Sequence, residues 1–169
     1  MNFGAKKSLG QNFLNDNNVI KIIADIGNID RNDFILEVGA GTGNLTEKIL
    51  EQSPKKIFVI EKDQRLALYL NEKFGDKINI FNEDMMTFEY ERYYKDKLII
   101  FGNLPYNIST QILAKWIRIK NLDSFCKKFI LMFQKEVADR IIAETNTKNY
   151  GRLSILSNWK MKIDKVIDI

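Results

Sequence analysis

Short apolar runs alternate with amphipathic stretches along most of this chain. The apolar runs cover residues 34–38, 56–61, 78–81, 97–101 and 129–133. Between them, apolar residues recur at helical spacing over about 42–52, 64–74, 109–119 and 135–144. Because a strand covered on both faces needs apolar side chains throughout, this alternation predicts an α/β fold with a mainly parallel sheet flanked by helices.

The two ends of the chain add weaker signals. The run Asn15-Asp16-Asn17-Asn18 precedes apolar residues at helical spacing, which predicts a capped helix. A short helix is expected after Gly151, and residues 160–169 predict a final strand without a neighbour. Ser109 or Thr110 is expected to cap the helix that follows the fourth strand.

Composition narrows the possible chemistry. The 169 residues include no histidine and one cysteine, Cys126, which excludes histidine triads and disulfides and makes a metal site unexpected. The net charge of +4 agrees with a polyanionic partner without requiring one. Since no apolar stretch approaches the roughly 20 residues of a membrane helix, and no signal-peptide pattern opens the chain, we expect a cytoplasmic protein. We also expect it to be a monomer.

Three consecutive strand ends carry residues suited to a nucleotide-like ligand. Gly39-Ala-Gly41-Thr-Gly43 follows the first strand, Glu61 ends the second, and Asp84 follows the third. The dinucleotide fingerprint needs a glycine at position 44, where this chain has Asn44, so a nicotinamide cofactor is disfavoured. Each signal alone also fits a tight turn or a solvated acid. Together at the carboxyl edge of a sheet, they predict a binding site for a ribose and a base.

The fourth strand ends in Asn103-Leu-Pro-Tyr106. The Asn103 amide oxygen and the Leu104 carbonyl offer two acceptors for one exocyclic amine, Pro105 stiffens the turn, and Tyr106 offers a ring for stacking. An enzyme that modifies a base must hold it outside its helix. The turn therefore predicts transfer of a group to a base amine, without a histidine base if the donor is a sulfonium.

The chain resembles the ribosomal RNA adenine dimethyltransferases, and in particular their small-subunit branch. The resemblance rests on residues 7–16 (KSLGQNFLND), 103–110 (NLPYNIST), 134–141 (QKEVADRI) and 150–154 (YGRLS). It implies a class I methyltransferase that uses S-adenosylmethionine and dimethylates N6 of two adjacent adenines near the 3′ end of small-subunit rRNA during ribosome biogenesis.

The resemblance also assigns site residues by position. Cofactor-binding residues would be Asn12, Leu14, Gly39, Gly41, Glu61, Asp84 and Asn103. The target adenine would be held by the catalytic residues Asn103, Leu104, Pro105 and Tyr106. Basic residues that would contact RNA are Lys6, Lys7 and Arg152, with Lys127, Lys128 and Arg140 extending the basic surface.

Several alternatives remain open. The erythromycin-resistance branch, which acts on large-subunit rRNA, shares the turn at Asn103, and DNA adenine methyltransferases form a more distant alternative. A non-catalytic RNA-binding assembly factor or transcription factor on the same fold is the alternative from another class. Family members continue with a further strand and a small helical domain. The sequence therefore predicts that residues 1–169 form a methyltransferase domain that is incomplete at its C-terminal end.

Overall fold

The computed structural model describes residues 3–4, 6, 10–90 and 97–168. Within these ranges, five strands form one sheet in the order β3-β2-β1-β4-β5, and all neighbouring strands are parallel. The strands are β1 (Phe34–Val38), β2 (Lys56–Ile60), β3 (Asn79–Phe81), β4 (Leu98–Asn103) and β5 (Cys126–Met132). The predicted parallel sheet is confirmed.

Helices cover both faces of this sheet. They are α1 (Asn17–Ile26), α2 (Asn44–Glu51), α3 (Gln64–Phe74), α4 (Ser109–Ile117), α5 (Leu122–Phe125), α6 (Lys135–Ile141) and α7 (Arg152–Lys160). The apolar faces of α1, α2 and α3 share one buried cluster with the strands, whereas α4 and α5 share another on the opposite face. The helices α6 and α7 pack against α4 through a third cluster. None of the helices in the described part of the chain is long and apolar enough to cross a membrane.

The order of the strands brings the loops that follow β1, β2 and β4 close together. The chain runs outward from β1 through β2 to β3, then returns to the other side of β1 to form β4. Val38 at the end of β1 is in register with Ile60 of β2 and Gly102 of β4. The loops after these strands therefore meet at one edge, at the point where the strand order reverses and where ligands bind in open α/β sheets.

Two predicted details are wrong. Residues 161–168 form neither helix nor strand, and residue 169 lies outside the described residues, so the final strand is not formed. A strand needs a neighbour to satisfy its backbone groups, and no described segment pairs with this one. The helix α4 begins at Ser109, with Ile108 at its N-cap and no side-chain cap. In contrast, Asp16 does cap α1, because its carboxylate accepts from the Asn18 and Val19 N–H groups.

Candidate functional site

The glycine-rich turn after β1 forms the floor of the site. Gly39, Gly41 and Gly43 all have positive φ, at 74°, 60° and 78°. The Gly39 N–H donates to the Ile60 carbonyl at 2.9 Å, and Gly43 is the N-cap of α2. A Cβ added to Gly41 would lie 3.1 Å from the ring of Phe13. The turn therefore combines a left-handed backbone with a close approach by another segment, and both conditions favour glycine.

Glu61 joins this turn to the loop after β2. Its side chain is buried, with one carboxylate oxygen accepting from the Gly41 N–H at 3.0 Å and the other from the Asp63 N–H at 2.9 Å. Burial raises the pKa of Glu61 above its ordinary value, against the lowering effect of these two bonds. The structure thus places the sequence-predicted carboxylate beside the glycine-rich turn.

Asp84 lies in the loop after β3, and two lysines bind this loop. Lys62 Nζ lies 2.7 Å from one carboxylate oxygen of Asp84, while the Met86 N–H donates to the other at 2.8 Å. The Lys62 ammonium lowers the pKa of Asp84. Lys115 of α4 donates to the main-chain carbonyls of Met86 and Phe88 at 2.9 and 3.0 Å. Lys115 therefore fixes the path of the backbone that carries Asp84.

The turn after β4 holds the predicted base-binding residues. Leu104 is buried and anchors the turn, while the Tyr106 side chain is 41% exposed at the surface. The Ile108 N–H donates to the Pro105 carbonyl at 3.1 Å. Asn103 lies next to the floor of the site, because a Cβ added to Gly39 would be 3.5 Å from the Asn103 carbonyl oxygen. The amide and the exposed ring thus lie on one turn beside the glycines.

A segment near the N-terminus crosses the same edge, and we call residues 10–14 the arm. Asn103 Nδ2 donates to the Asn12 carbonyl at 2.7 Å, and Asn12 Nδ2 donates to the Tyr106 hydroxyl. Farther along the arm, Asn44 Nδ2 donates to the Leu14 carbonyl at 3.0 Å. The arm therefore brings the two residues predicted near the N-terminus, Asn12 and Leu14, to the strand-end cluster.

Asp63 binds the beginning of the arm. The sequence analysis did not assign this residue to the site. Its buried carboxylate caps α3, binds Arg65 at 2.7 Å, and accepts from Gln11 Nε2 at 3.3 Å. Lys6 Nζ lies 3.3 Å from the same carboxylate. Hydrogen bonds from Arg65, more than any other cause, hold the pKa of Asp63 well below its usual range. An aspartate directly before a predicted helix is a capping signal, but it did not reveal the contact with the arm.

Glu37 is a second buried acid that the sequence analysis did not assign to the site. It lies on β1, and Thr46 Oγ1 donates to its carboxyl group at 2.6 Å. Burial, with a smaller contribution from the nearby Glu61, raises the pKa of Glu37 to about 7. The floor of the site therefore contains two carboxyl groups whose pKa values are raised by burial, Glu37 and Glu61.

These segments enclose a cleft of about 170 Å³. Among the sequence-predicted residues, its lining includes Asn12, Leu14, Gly39, Gly41, Glu61, Asp84, Asn103 and Pro105. Leu104 lies buried in the turn, and Tyr106 joins the site through its bond to Asn12. The structure thus assembles the predicted cofactor set and the predicted base-binding turn at one place.

Of the predicted RNA-binding residues that the structure describes, neither Lys6 nor Arg152 lines this cleft. Lys6 pairs with Asp63, Lys7 lies outside the described residues, and Arg152 is exposed at the start of α7. Lys127 pairs with Asp33 at 2.7 Å, and Lys128 donates to the Ile26 carbonyl at 3.1 Å. Both lysines lie at the beginning of β5, at the edge of the sheet opposite the cleft. Their expected contribution to a basic surface for RNA stays a prediction.

The parallel sheet with a glycine-rich turn and acids at the next strand ends defines a Rossmann-like methyltransferase fold. Two solved structures resemble it over 86% of this chain. A dimethyladenosine transferase from Plasmodium falciparum has a TM-score of 0.75 and 30% identity, with 51% of that chain covered. The 23S rRNA methyltransferase ErmE has a TM-score of 0.68 and 27% identity, with 55% of that chain covered.

Sequence comparison then specifies the family. The family model described as "Ribosomal RNA adenine dimethylase" matches residues 2–169, and the chain belongs to this family. The Ribosomal RNA small subunit methyltransferase A of Pelagibacter ubique is 53% identical over 98% of this chain. The protein of the same name from Staphylococcus haemolyticus is 39% identical over 99% of it. The chain spans 63% and 58% of the lengths of these relatives.

Proposed function

We propose that this chain is the methyltransferase domain of an enzyme that dimethylates N6 of two adjacent adenines near the 3′ end of small-subunit rRNA, with S-adenosylmethionine as methyl donor. The observation that carries the proposal is the presence of Asn103 and Tyr106 on one turn beside a cleft lined by Gly41, Glu61 and Asp84. The identity to relatives named small-subunit methyltransferases favours this substrate over large-subunit rRNA.

The residues of the cleft fit S-adenosylmethionine in their chemistry. At Gly41 the backbone approaches the Phe13 ring so closely that a Cβ would fill the space between them. Glu61 offers carboxylate oxygens suited to the two ribose hydroxyls, and Asp84 offers an acceptor for the adenine amino group. Asn12, Leu14 and Gly39 line the part of the cleft that would receive the methionine portion. When bound, the cofactor supplies an electrophilic methyl group on a sulfonium.

The turn after β4 suits the second reactant. An adenine N6 amine is a weak nucleophile, because its lone pair is delocalised into the ring. The Asn103 amide oxygen and the Leu104 carbonyl would accept its two hydrogens and favour a more pyramidal, more reactive nitrogen. The exposed ring of Tyr106 would stack on the base and hold it outside the RNA helix. This division of roles needs neither a histidine nor a metal ion in the chain.

The same proposal covers partners and location. We infer that the substrate is small-subunit rRNA or a precursor particle that contains it, and that the protein acts as a cytoplasmic monomer. The exposed residue Arg152 remains a candidate for phosphate contact, which would make RNA affinity fall as salt rises.

The first test separates cofactor binding from catalysis. Calorimetric titration with S-adenosylmethionine should give binding to the wild-type chain and to Glu51→Ala, whose side chain lies exposed on α2, but not to Glu61→Ala. Absence of binding by the folded wild-type chain would contradict the cofactor assignment.

The second test addresses the reaction. Primer extension on small-subunit and large-subunit RNA should detect methylation of the former alone. Asn103→Ala should abolish it even at saturating cofactor, with the fold intact by circular dichroism. Methylation of large-subunit RNA instead would support an ErmE-like activity. RNA binding that is independent of cofactor, without any methyl transfer by a chain of the relatives' full length, would support a non-catalytic role.

A further inference from the structure

Asn12 of the arm contacts both side chains that the proposed function assigns to the target adenine. Its main-chain carbonyl accepts from Asn103 Nδ2 at 2.7 Å, and its side-chain Nδ2 donates to the Tyr106 hydroxyl. These bonds link residues 91 and 94 positions apart in the chain. The arm is therefore joined directly to the base-binding turn, in addition to lining the cleft.

The bond to the Asn12 carbonyl decides which end of the Asn103 amide faces the substrate. A carboxamide has a donor end and an acceptor end. If the Asn103 amide were rotated by half a turn, its oxygen would face the carbonyl oxygen of Asn12, and two acceptors would repel each other. The carbonyl therefore holds Nδ2 toward the arm. It leaves Oδ1, to which no residue in the described ranges donates, as the acceptor for an exocyclic amine.

The bond from the Asn12 side chain acts on the aromatic ring of Tyr106. The Tyr106 side chain is 41% exposed, so packing alone leaves it considerable rotational freedom. A tether at the hydroxyl removes much of this freedom before the base arrives. Ordering the ring in advance lowers the entropy that stacking would otherwise cost.

We propose that Asn12 is a positioning residue for methyl transfer, which orients the Asn103 amide through its carbonyl and the Tyr106 ring through its side chain. The inference rests on the proposed function and deepens it, because it gives the arm a role toward the target base. The arm does this without contributing a reacting group.

The first experiment measures the geometry without any catalysis. In ¹⁵N NMR spectra, with Asn103→Ala used for assignment, the Asn103 side-chain amide protons should exchange with water about tenfold more slowly than those of the exposed Asn149. Gly10→Ala should remove this protection. Gly10 has a φ of +62°, and an added Cβ would lie 2.7 Å from Asn107 Oδ1.

Gly4→Ala is the matched control, because nothing lies within 4 Å of the added Cβ. It should retain the protection, and circular dichroism of both glycine variants should show the wild-type fold. Equal exchange of the Asn103 and Asn149 amides in the wild-type chain would overturn the proposal, as would protection that survives in Gly10→Ala.

The second experiment is a double-mutant cycle on kcat at saturating cofactor. Asn12→Ala and Tyr106→Phe should each lower kcat about fivefold, the effect of one lost hydrogen bond. The double variant should also lose about fivefold rather than about 25-fold, because both changes remove the same bond. Asn12→Asp, whose carboxylate can accept from the Tyr106 hydroxyl, should restore most of kcat, but not when combined with Tyr106→Phe. Additive losses would refute the positioning role.

The two experiments separate this inference from the proposed function. If no methyl transfer is found but the Asn103 amide is protected in the wild-type chain and released in Gly10→Ala, the proposed reaction fails while the orientation of the amide stands. If methyl transfer occurs without protection or with an additive cycle, the reaction stands and the positioning role of Asn12 is refuted.

Discussion

The buried carboxyl group of Glu37 should make the domain less stable as pH rises toward neutrality. Its pKa is raised to about 7 from an ordinary value of 4.5, mainly because burial penalises the charged form. Below pH 4.5 the group is protonated in both the folded and the unfolded chain. Between these two values the unfolded chain releases the proton while the folded chain retains it, so the unfolded state gains stability.

The size of this effect follows from the two pKa values. One pKa unit corresponds to about 1.4 kcal/mol, so the full effect of Glu37 well above pH 7 is about 3 kcal/mol. Most of this effect develops between pH 5 and pH 8. Glu37→Gln keeps the size of the side chain and still offers an oxygen to the Thr46 hydroxyl, but it cannot ionise. The variant should therefore gain roughly 2–3 kcal/mol relative to wild type over this interval.

Urea unfolding followed by circular dichroism at pH 5 and pH 8 measures this difference. Glu51→Gln, at an exposed position on α2, is the matched control and should follow the wild-type pH dependence. If the difference in unfolding free energy between Glu37→Gln and wild type is the same at both pH values, the account of Glu37 as a buried, protonated acid is wrong.

Two further predictions concern the supports of the site. Gly43→Ala should lower the free energy of unfolding by about 2–4 kcal/mol. The backbone φ there is +78°, and an added Cβ would lie 2.6 Å from the Phe74 ring. Urea melts should show no such loss for Gly151→Ala, where nothing lies within 4 Å. Lys115→Met should weaken S-adenosylmethionine binding about fivefold in calorimetry, because it removes two hydrogen bonds to the loop after β3. The exposed Lys120→Met should leave the affinity unchanged, and equal affinities for both lysine variants would contradict the role of this loop.

The sheet could be predicted because its strands are apolar on both faces. All residues of β4 except Asn103 are buried, so the apolar run marks the strand and the first polar side chain marks its end. The final strand could not be judged in this way. Residues 161–168 have a suitable pattern, but strand formation depends on a partner, and a local pattern contains no information about a partner.

The same limit applies to the site: residues at strand ends could be predicted from the local pattern, whereas contacts with distant residues could not. Glu61, Asp84 and Asn103 lie at the end of an apolar run or within three residues after it, so the topology alone brings them to one edge. The role of Asp63 depends on contacts with Lys6 and Gln11, more than 50 positions away. Lys6 likewise has a partner that its neighbours in the sequence do not reveal, because its Nζ lies 3.3 Å from the Asp63 carboxylate.

The way in which the arm is held has a consequence for inactivation by heat. The core is held by buried apolar clusters on both faces of the sheet, whereas in the arm only the partly buried Leu14 packs against such a cluster, beside hydrogen bonds at partly exposed positions. Segments with few buried apolar contacts open locally at a lower free-energy cost than the whole domain. The arm should therefore detach at temperatures where the helices and the sheet are still intact. We therefore expect activity to be lost on warming before the circular dichroism changes, and to return on cooling without refolding.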